Sequence, residues 1–246
     1  TDILKKNTSV DVIEYPGALS GIGLRGFAPN PYANAYTNKA LILIDGHPAG
    51  TANLATLNSQ AVDHIELLKG PASALYGSEA VAGVLNVITK KTHGPLQGSA
   101  SVAAGSFDTV EGALTAGGTL WGPLDFDASW ATRERMASTK GAAGRDIPDS
   151  TFLVNQAALR LGTRLLGDWR ADLAGQGYFG RRLAFTDSDQ LTYANVSAYK
   201  DLDRLSGDFK LEGPVLGTRA TVTLFAGRET YDVVDSLASQ SDVYYT

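Results

Sequence analysis

The run Trp169-Arg170-Ala171-Asp172-Leu173-Ala174-Gly175-Gln176-Gly177-Tyr178-Phe179 sets the reading of the whole chain. Its odd positions are apolar or small, and its even positions are mostly polar. A period of two is that of a strand with one apolar and one polar face. The same alternation recurs outward from this run. Leu124, Phe126, Ala128 and Trp130 alternate with Asp125, Asp127, Ser129 and Ala131; Leu205, Gly207, Phe209 and Leu211 with Arg204, Ser206, Asp208 and Lys210; Ala220, Val222, Leu224 and Ala226 with Arg219, Thr221, Thr223 and Phe225. Residues 96–105, 109–120 and 153–165 add to these, giving about seven strands of roughly 10–14 residues, with an eighth beginning near Asp242.

Length separates the two architectures that alternation allows. Strands of a soluble β-sandwich run about 5–6 residues, whereas a tilted strand needs about 9–11 to cross a bilayer. The connections alternate as well. Trp121-Gly122-Pro123, Leu166-Gly167 and Pro214-Val215-Leu216 are tight, while residues 135–150 and 181–199 are long and polar. Short turns at one end and long loops at the other describe an up-and-down outer-membrane barrel. One tight connection, Ser106-Phe107-Asp108, falls at the long-loop end. The aromatic residues Trp121, Trp130, Phe152, Trp169, Phe179 and Tyr231 suit interfacial girdles. A β-sandwich binding protein remains the soluble alternative.

Composition narrows the function. Charged residues are 19% and hydrophobic residues 43% of the 246, which excludes a highly charged disordered chain. No segment is long and apolar enough for a membrane helix. The formal charge of -5 and the lack of a basic run argue against a nucleic-acid partner. With no cysteine there is neither a disulfide nor a thiolate metal site. Residues up to about 95 behave differently from the rest: short apolar runs at 10–13, 22–25, 40–45, 65–69 and 84–89 read as strands, and 2–6, 59–63 and 71–75 as short helices. The expected division is residues 1–95, a small α+β domain, and residues 96–246, the strand array. Lysines and arginines balance aspartates and glutamates in the first part, so the net negative charge lies in the second.

The first part is also where motifs concentrate. Ile22-Gly23-Leu24-Arg25-Gly26-Phe27, Leu41-Ile42-Leu43-Ile44-Asp45-Gly46, Ile65-Glu66-Leu67-Leu68-Lys69-Gly70-Pro71 and the run from Ala74-Leu75-Tyr76-Gly77-Ser78 to Asn86-Val87-Ile88-Thr89 occur in that order. Together they resemble the plug domain of TonB-dependent outer-membrane receptors over about residues 2–92. The resemblance implies a membrane β-barrel of antiparallel up-and-down strands, partial here, with an N-terminal α+β plug. It implies energy-coupled uptake of a scarce, bulky nutrient, a ferric siderophore first and cobalamin or haem next, across the outer membrane of a Gram-negative bacterium. The implied partners are the TonB-ExbB-ExbD energy-transducing complex, the bulky solute and outer-membrane lipid. A non-transporting receptor for signalling or docking would share the motifs.

Residue roles follow from the same resemblance. Arg25 and Lys69, each closing an apolar run, would anchor the plug through barrel carboxylates. Asn30, Tyr32, Asn34 and Tyr36, in the aromatic and polar loop 27–38, would contact the ligand, with residues 48–56 as a second apical segment. Asp45-Gly46 reads as a hairpin turn rather than a metal carboxylate. His47, His64 and His93 have no metal-ligand spacing, and no serine has the neighbours of a nucleophile, so no catalytic residue, cofactor or bound metal is expected. At about 22 residues per strand and connection, a plugged barrel of about 22 strands needs roughly 470 residues, so the chain is expected to be a plug with an incomplete barrel.

Overall fold

The computed structural model describes residues 10–15, 19–27, 39–137, 151–184, 199–234 and 239–245. The chain divides into two compact units, Thr1–Lys90 and Lys91–Thr246.

The first unit is built on the apolar run 40–44. Strand β3 (Ala40–Ile44) is buried along its whole length, with neighbours on both faces. Ala40, Ile42 and Ile44 pack with Ile22, Leu24, Leu85 and Val87 on one side, and Leu41 and Leu43 with Ala72, Ala80 and Val84 on the other. Each fully buried Leu, Ile or Val contributes about 1.5–3 kcal/mol, so this five-residue strand is the stability centre of the unit. It pairs in parallel with β6 (Gly83–Thr89) and antiparallel with the two-residue β4 (His47–Pro48); β5 (Val62–Lys69) closes the mixed sheet in the order β4-β3-β6-β5. A separate ribbon joins β1 (Asp11–Tyr15) to β2 (Leu19–Gly23).

Asp45 and Gly46 both have positive φ, 46° and 92°, as a two-residue hairpin turn between β3 and β4 requires. The Asp45 carboxylate also accepts hydrogen bonds from the Thr89 backbone N–H at 3.1 Å and the Thr89 hydroxyl at 2.5 Å, fastening the end of β6. At Gly83 the chain has φ 150° and no room for a side chain: a Cβ there would lie 2.5 Å from the Leu68 carbonyl oxygen and 3.1 Å from the Leu24 methyl. Gly83→Ala should therefore destabilise this unit by about 1–3 kcal/mol. The check is faster amide exchange along β5 and β6; unchanged protection would show that the contact relaxes without cost.

Several local expectations shift. The helix expected at 59–63 is a single 3-10 turn, Ser59–Ala61, after which β5 begins. That at 71–75 is a four-residue helix, Ser73–Tyr76; the one at 2–6 lies outside the described residues. The small, polar segment 48–56 is mostly packed inside the unit: Ala49, Thr51, Ala52, Asn53 and Thr56 are buried. The Asn53 side chain accepts from the N–H groups of Ser20 and Ala55, both at 3.0 Å, which draws the segment inward.

The second unit is one antiparallel meander of eight strands in sequence order: β7 (Gln97–Gly105), β8 (Thr109–Trp121), β9 (Leu124–Arg135), β10 (Phe152–Arg164), β11 (Arg170–Ala184), β12 (Tyr199–Val215), β13 (Thr218–Val234) and β14 (Ser239–Tyr245). A single continuous sheet, with strands of up to 17 residues, replaces the two packed sheets of a sandwich. Cross-strand register gathers the apolar residues on one face. Phe126, Leu161, Leu173, Phe209 and Leu224 form one row, and Leu114, Trp130, Ala157, Gly177 and Leu205 the second row above it. Many of these large residues are exposed, including Leu114, Leu173, Leu205 and Leu224. A soluble protein does not leave so wide an apolar face in water.

Aromatic residues mark its edges. Trp169 at the tight-turn end lies over Gly213, where a Cβ would fall 2.2 Å from the indole. From Trp169 to Phe179 the strand rises about 33 Å, or about 25 Å along the normal at the tilt of such barrels. Phe152 and Tyr231 depart from the girdle expectation. Both sit on the polar face, Phe152 buried against Arg133 and Arg135, and Tyr231 beneath Lys200.

Candidate functional site

The polar face of the meander carries two tiers of charge. The lower tier lies at the tight-turn end, where register sets Asp125 opposite Gly162 and Gly162 opposite Asp172, with Arg160 one step above opposite Asp127. The Arg160 guanidinium donates to Asp125 at 2.5 Å, Asp127 at 2.7 and 2.9 Å, and Asp172 at 2.6 Å. Arg170 donates to Asp172 at 2.9 Å and Asp125 at 2.9 Å. The glycine between them explains how two guanidinium groups fit: a Cβ on Gly162 would lie 2.3–2.5 Å from atoms of Arg160, Arg170 and Asp172. Arg160 and Asp125 are almost fully buried, and buried charges persist only when paired.

The residues that lead into β7 attach to this tier. Thr92 donates its backbone N–H to the Asp127 carboxylate at 3.1 Å, and His93 Nδ1 lies 3.1 Å from Asp125. Gly94 exchanges two bonds with Thr119: its N–H donates to the hydroxyl at 3.0 Å, and its carbonyl accepts the Thr119 N–H at 2.8 Å.

The upper tier lies at the long-loop end of the same face. Arg135 sits over the rings of Phe152 and Phe107, 5.0 and 5.8 Å from their centroids, and Arg133 lies 5.7 Å from Phe152. Lys200 approaches the Tyr231 ring to 3.3 Å, and Arg204 lies within 3.4 Å of Glu229. Arg133 pairs with Glu111 at 2.9 Å, whereas Arg135 Nε has no hydrogen-bond partner among the described residues. From β9 to β12 is three strand spacings, about 14 Å, so the tier is wide enough for a ligand larger than a simple anion. Cations over aromatic rings make a surface for planar, negatively charged groups.

The residues expected from sequence fall elsewhere. Asn30, Tyr32, Asn34 and Tyr36 lie outside the described residues. Arg25 is exposed at φ 55° in a tight turn closed by the Phe27 N–H to Leu24 carbonyl bond at 3.1 Å, beyond the end of β2 rather than within a strand. Lys69 is the exposed last residue of β5. The residues before them, Leu24 and Leu68, both reach Gly83. His47, His64 and His93 are not gathered into a cluster, and among the described residues no group of His, Asp and Glu has the geometry to hold a metal ion. The Asp63 hydrogen bond holds the exposed His64 imidazole above its ordinary pKa. Neither charge tier stood out in the sequence. The available signal was parity: Asp125, Asp127, Arg160, Arg170 and Asp172 all occupy polar-face positions close to tight turns.

Comparison with known proteins agrees with this geometry. The TonB-dependent receptor plug domain model matches residues 1–84. The vitamin B12 transporter BtuB of Photobacterium profundum is 31% identical over 192 residues, 72% of this chain and 30% of that protein. The probable TonB-dependent siderophore receptor PirA of Acinetobacter baumannii is 28% identical over 230 residues, 85% of this chain and 27% of that protein. The chain thus spans less than a third of either relative. Among solved structures, the ferric yersiniabactin uptake receptor FyuA of Yersinia pestis superposes with a TM-score of 0.74 at 16% identity, over 94% of this chain and 38% of FyuA. The siderophore receptor PirA of Pseudomonas aeruginosa does so with 0.63 at 22% identity, over 99% of this chain and 41% of that one.

Proposed function

We propose, from the premise that the chain belongs to the TonB-dependent receptors, that the whole protein imports a bulky, anionic ferric siderophore across the outer membrane of a Gram-negative bacterium. The apolar face of the meander meets lipid, the polar face lines the lumen, and the plug gates transport. Ligand bound at the long-loop end leads the TonB-ExbB-ExbD complex to act on the plug, and the plug then rearranges to admit it.

The observation that carries the ligand class is the upper tier. Arg133 and Arg135 with the exposed Phe107 ring offer cations and an aromatic surface together, while Phe152, Lys200 and Arg204 are buried and Lys200 covers the Tyr231 ring. A negatively charged, aromatic iron chelate uses both. Cobalamin, the ligand named for one relative, has no comparable negative charge to match them. Asn30, Tyr32, Asn34 and Tyr36 would complete the contact from the plug. The test is radio-iron uptake by a receptor-deletion strain complemented with the full-length gene, using catecholate and hydroxamate chelates and cobalamin. Uptake of an anionic chelate, abolished without TonB, is expected; uptake of cobalamin alone would overturn the ligand assignment.

Arg25 and Lys69 would hold the plug through lumenal carboxylates. Arg25→Ala should therefore loosen it and raise sensitivity to large antibiotics that the outer membrane normally excludes. An unchanged inhibitory concentration at equal receptor abundance would remove Arg25 from that role.

A further inference from the structure

The segment that enters β7 is fastened far more firmly than a connection requires. The last backbone bond of the first unit is Lys90 N–H to the Ala61 carbonyl at 2.8 Å, and the first of the second unit is Thr92 N–H to Asp127. Only Lys91 stands between them. From Thr92 onward the chain is held by Asp127, by Asp125 through His93, and by both bonds between Gly94 and Thr119. It also lies directly on two glycines. A Cβ on Gly117 would fall 3.1 Å from the Thr92 Cβ, and one on Gly118, at φ 141°, would fall 2.8 Å from the Pro95 carbonyl oxygen and 2.9 Å from the Leu96 Cα. Any side chain at Gly118 displaces the segment.

We propose that residues 92–96 are a fixed anchor on the barrel wall and Lys91 its hinge, so that whatever rearrangement transport imposes on the plug stops at Lys91. Arg160 and Arg170 are positioning residues for this anchor. Arg160 binds the same Asp127 that receives the Thr92 N–H, and both arginines bind the Asp125 that faces His93. The lower charge tier then has a purpose beyond wall stability: it keeps two carboxylates aimed at the incoming chain. An unpaired aspartate on a solvated wall would move with its own rotamers and hold the segment weakly.

Two measurements on the full-length receptor test this. The present sequence has no cysteine, and the Thr92 Cβ lies 3.1 Å from where a Gly117 Cβ would stand, a few tenths of an ångström inside the roughly 3.5–4.5 Å of a relaxed disulfide, which a small shift of either strand supplies. The Thr92→Cys/Gly117→Cys receptor should therefore lock when oxidised. Because the anchor does not move, oxidised and reduced receptor should import the ligand at equal rates; uptake lost on oxidation and recovered on reduction would overturn the proposal. This arm rests on the uptake reading, and the second does not. In purified receptor, trypsin should cut after Lys90 or Lys91 about ten-fold faster in Gly118→Ala than in the parent, because the bonds that shield the site are lost. Equal rates would overturn the anchor whatever the ligand is. Heat-modifiable gel mobility establishes that the barrel has folded, and Thr119→Ala, which removes only the hydroxyl acceptor, carries the same test if Gly118→Ala does not reach that state.

Discussion

Replacing Arg160 with methionine should destabilise the folded barrel wall by about 3–5 kcal/mol, the usual consequence of removing one partner from a buried charge group. Methionine keeps most of the aliphatic length and removes every donor. Asp125, Asp127 and Asp172 would then share one cation, Arg170, which bonds to Asp125 and Asp172 and is the more exposed of the two guanidinium groups. Lysine should rescue little, since a single ammonium cannot reach three carboxylates on the two strands that flank β10 as the guanidinium fork does. Neutralising the acids should rescue more. Adding Asp127→Asn and Asp172→Asn to Arg160→Met should recover part of the loss, because the penalty comes from charges left unpaired rather than from the missing bonds. Gly162→Leu should act like Arg160→Met, by driving a side chain into the space both guanidinium groups occupy. Urea unfolding of the receptor in detergent, followed by heat-modifiable mobility, gives the free energies. A loss below about 1 kcal/mol for Arg160→Met would mean that the tier is solvated in the working receptor and holds little together.

The strands of the second unit were legible because their cause is local. Period-two alternation at Trp169–Phe179 needs no partner to be read, and Leu166-Gly167 forces the reversal that precedes it, with Gly167 at φ 69°. What pairing decides was not legible. At the start of β10, Phe152, Leu153 and Val154 are all apolar, so alternation cannot say which parity faces inward; the register Phe152 opposite Arg135 decides it. Tyr231 follows the same logic through its register with Leu202. Gly162 carries no signal of its own in the sequence, and only the neighbouring strands reveal that two arginines need its empty volume. In the first unit, the apolar run 40–45 read as a strand, whereas small and polar residues at 48–56 suggested an apical segment. The buried Asn53 side chain, which satisfies two backbone donors, reverses that reading. Arg25 was assigned to a strand on its apolar neighbours, but the Gly26-Phe27 pair that follows closes a turn in which Arg25 takes φ 55°.

The second large effect belongs to the upper tier. Arg133→Ala/Arg135→Ala should weaken binding of an anionic iron chelate by about 140- to 20,000-fold, since hydrogen bonds to charged groups contribute about 1.5–3 kcal/mol each and two cations are removed. Of the two, Arg135 should matter more. Arg133 is already partly neutralised by Glu111, while Arg135 is positioned by the Phe107 and Phe152 rings and its Nε has no hydrogen-bond partner among the described residues. Phe152→Leu should therefore reduce affinity by a smaller factor without changing charge, by letting the Arg135 side chain wander. The electrostatic origin predicts a further signature. Raising salt should weaken binding to the parent receptor more than to the double variant, because exposed charges are screened over about 8–10 Å. Ligand-quenched intrinsic fluorescence of the purified receptor at two ionic strengths measures both quantities. If the double variant binds the anionic chelate as tightly as the parent and with the same salt dependence, the cations of this tier do not contact ligand, and the choice between an anionic siderophore and a neutral solute must rest on the plug loop 27–38 instead.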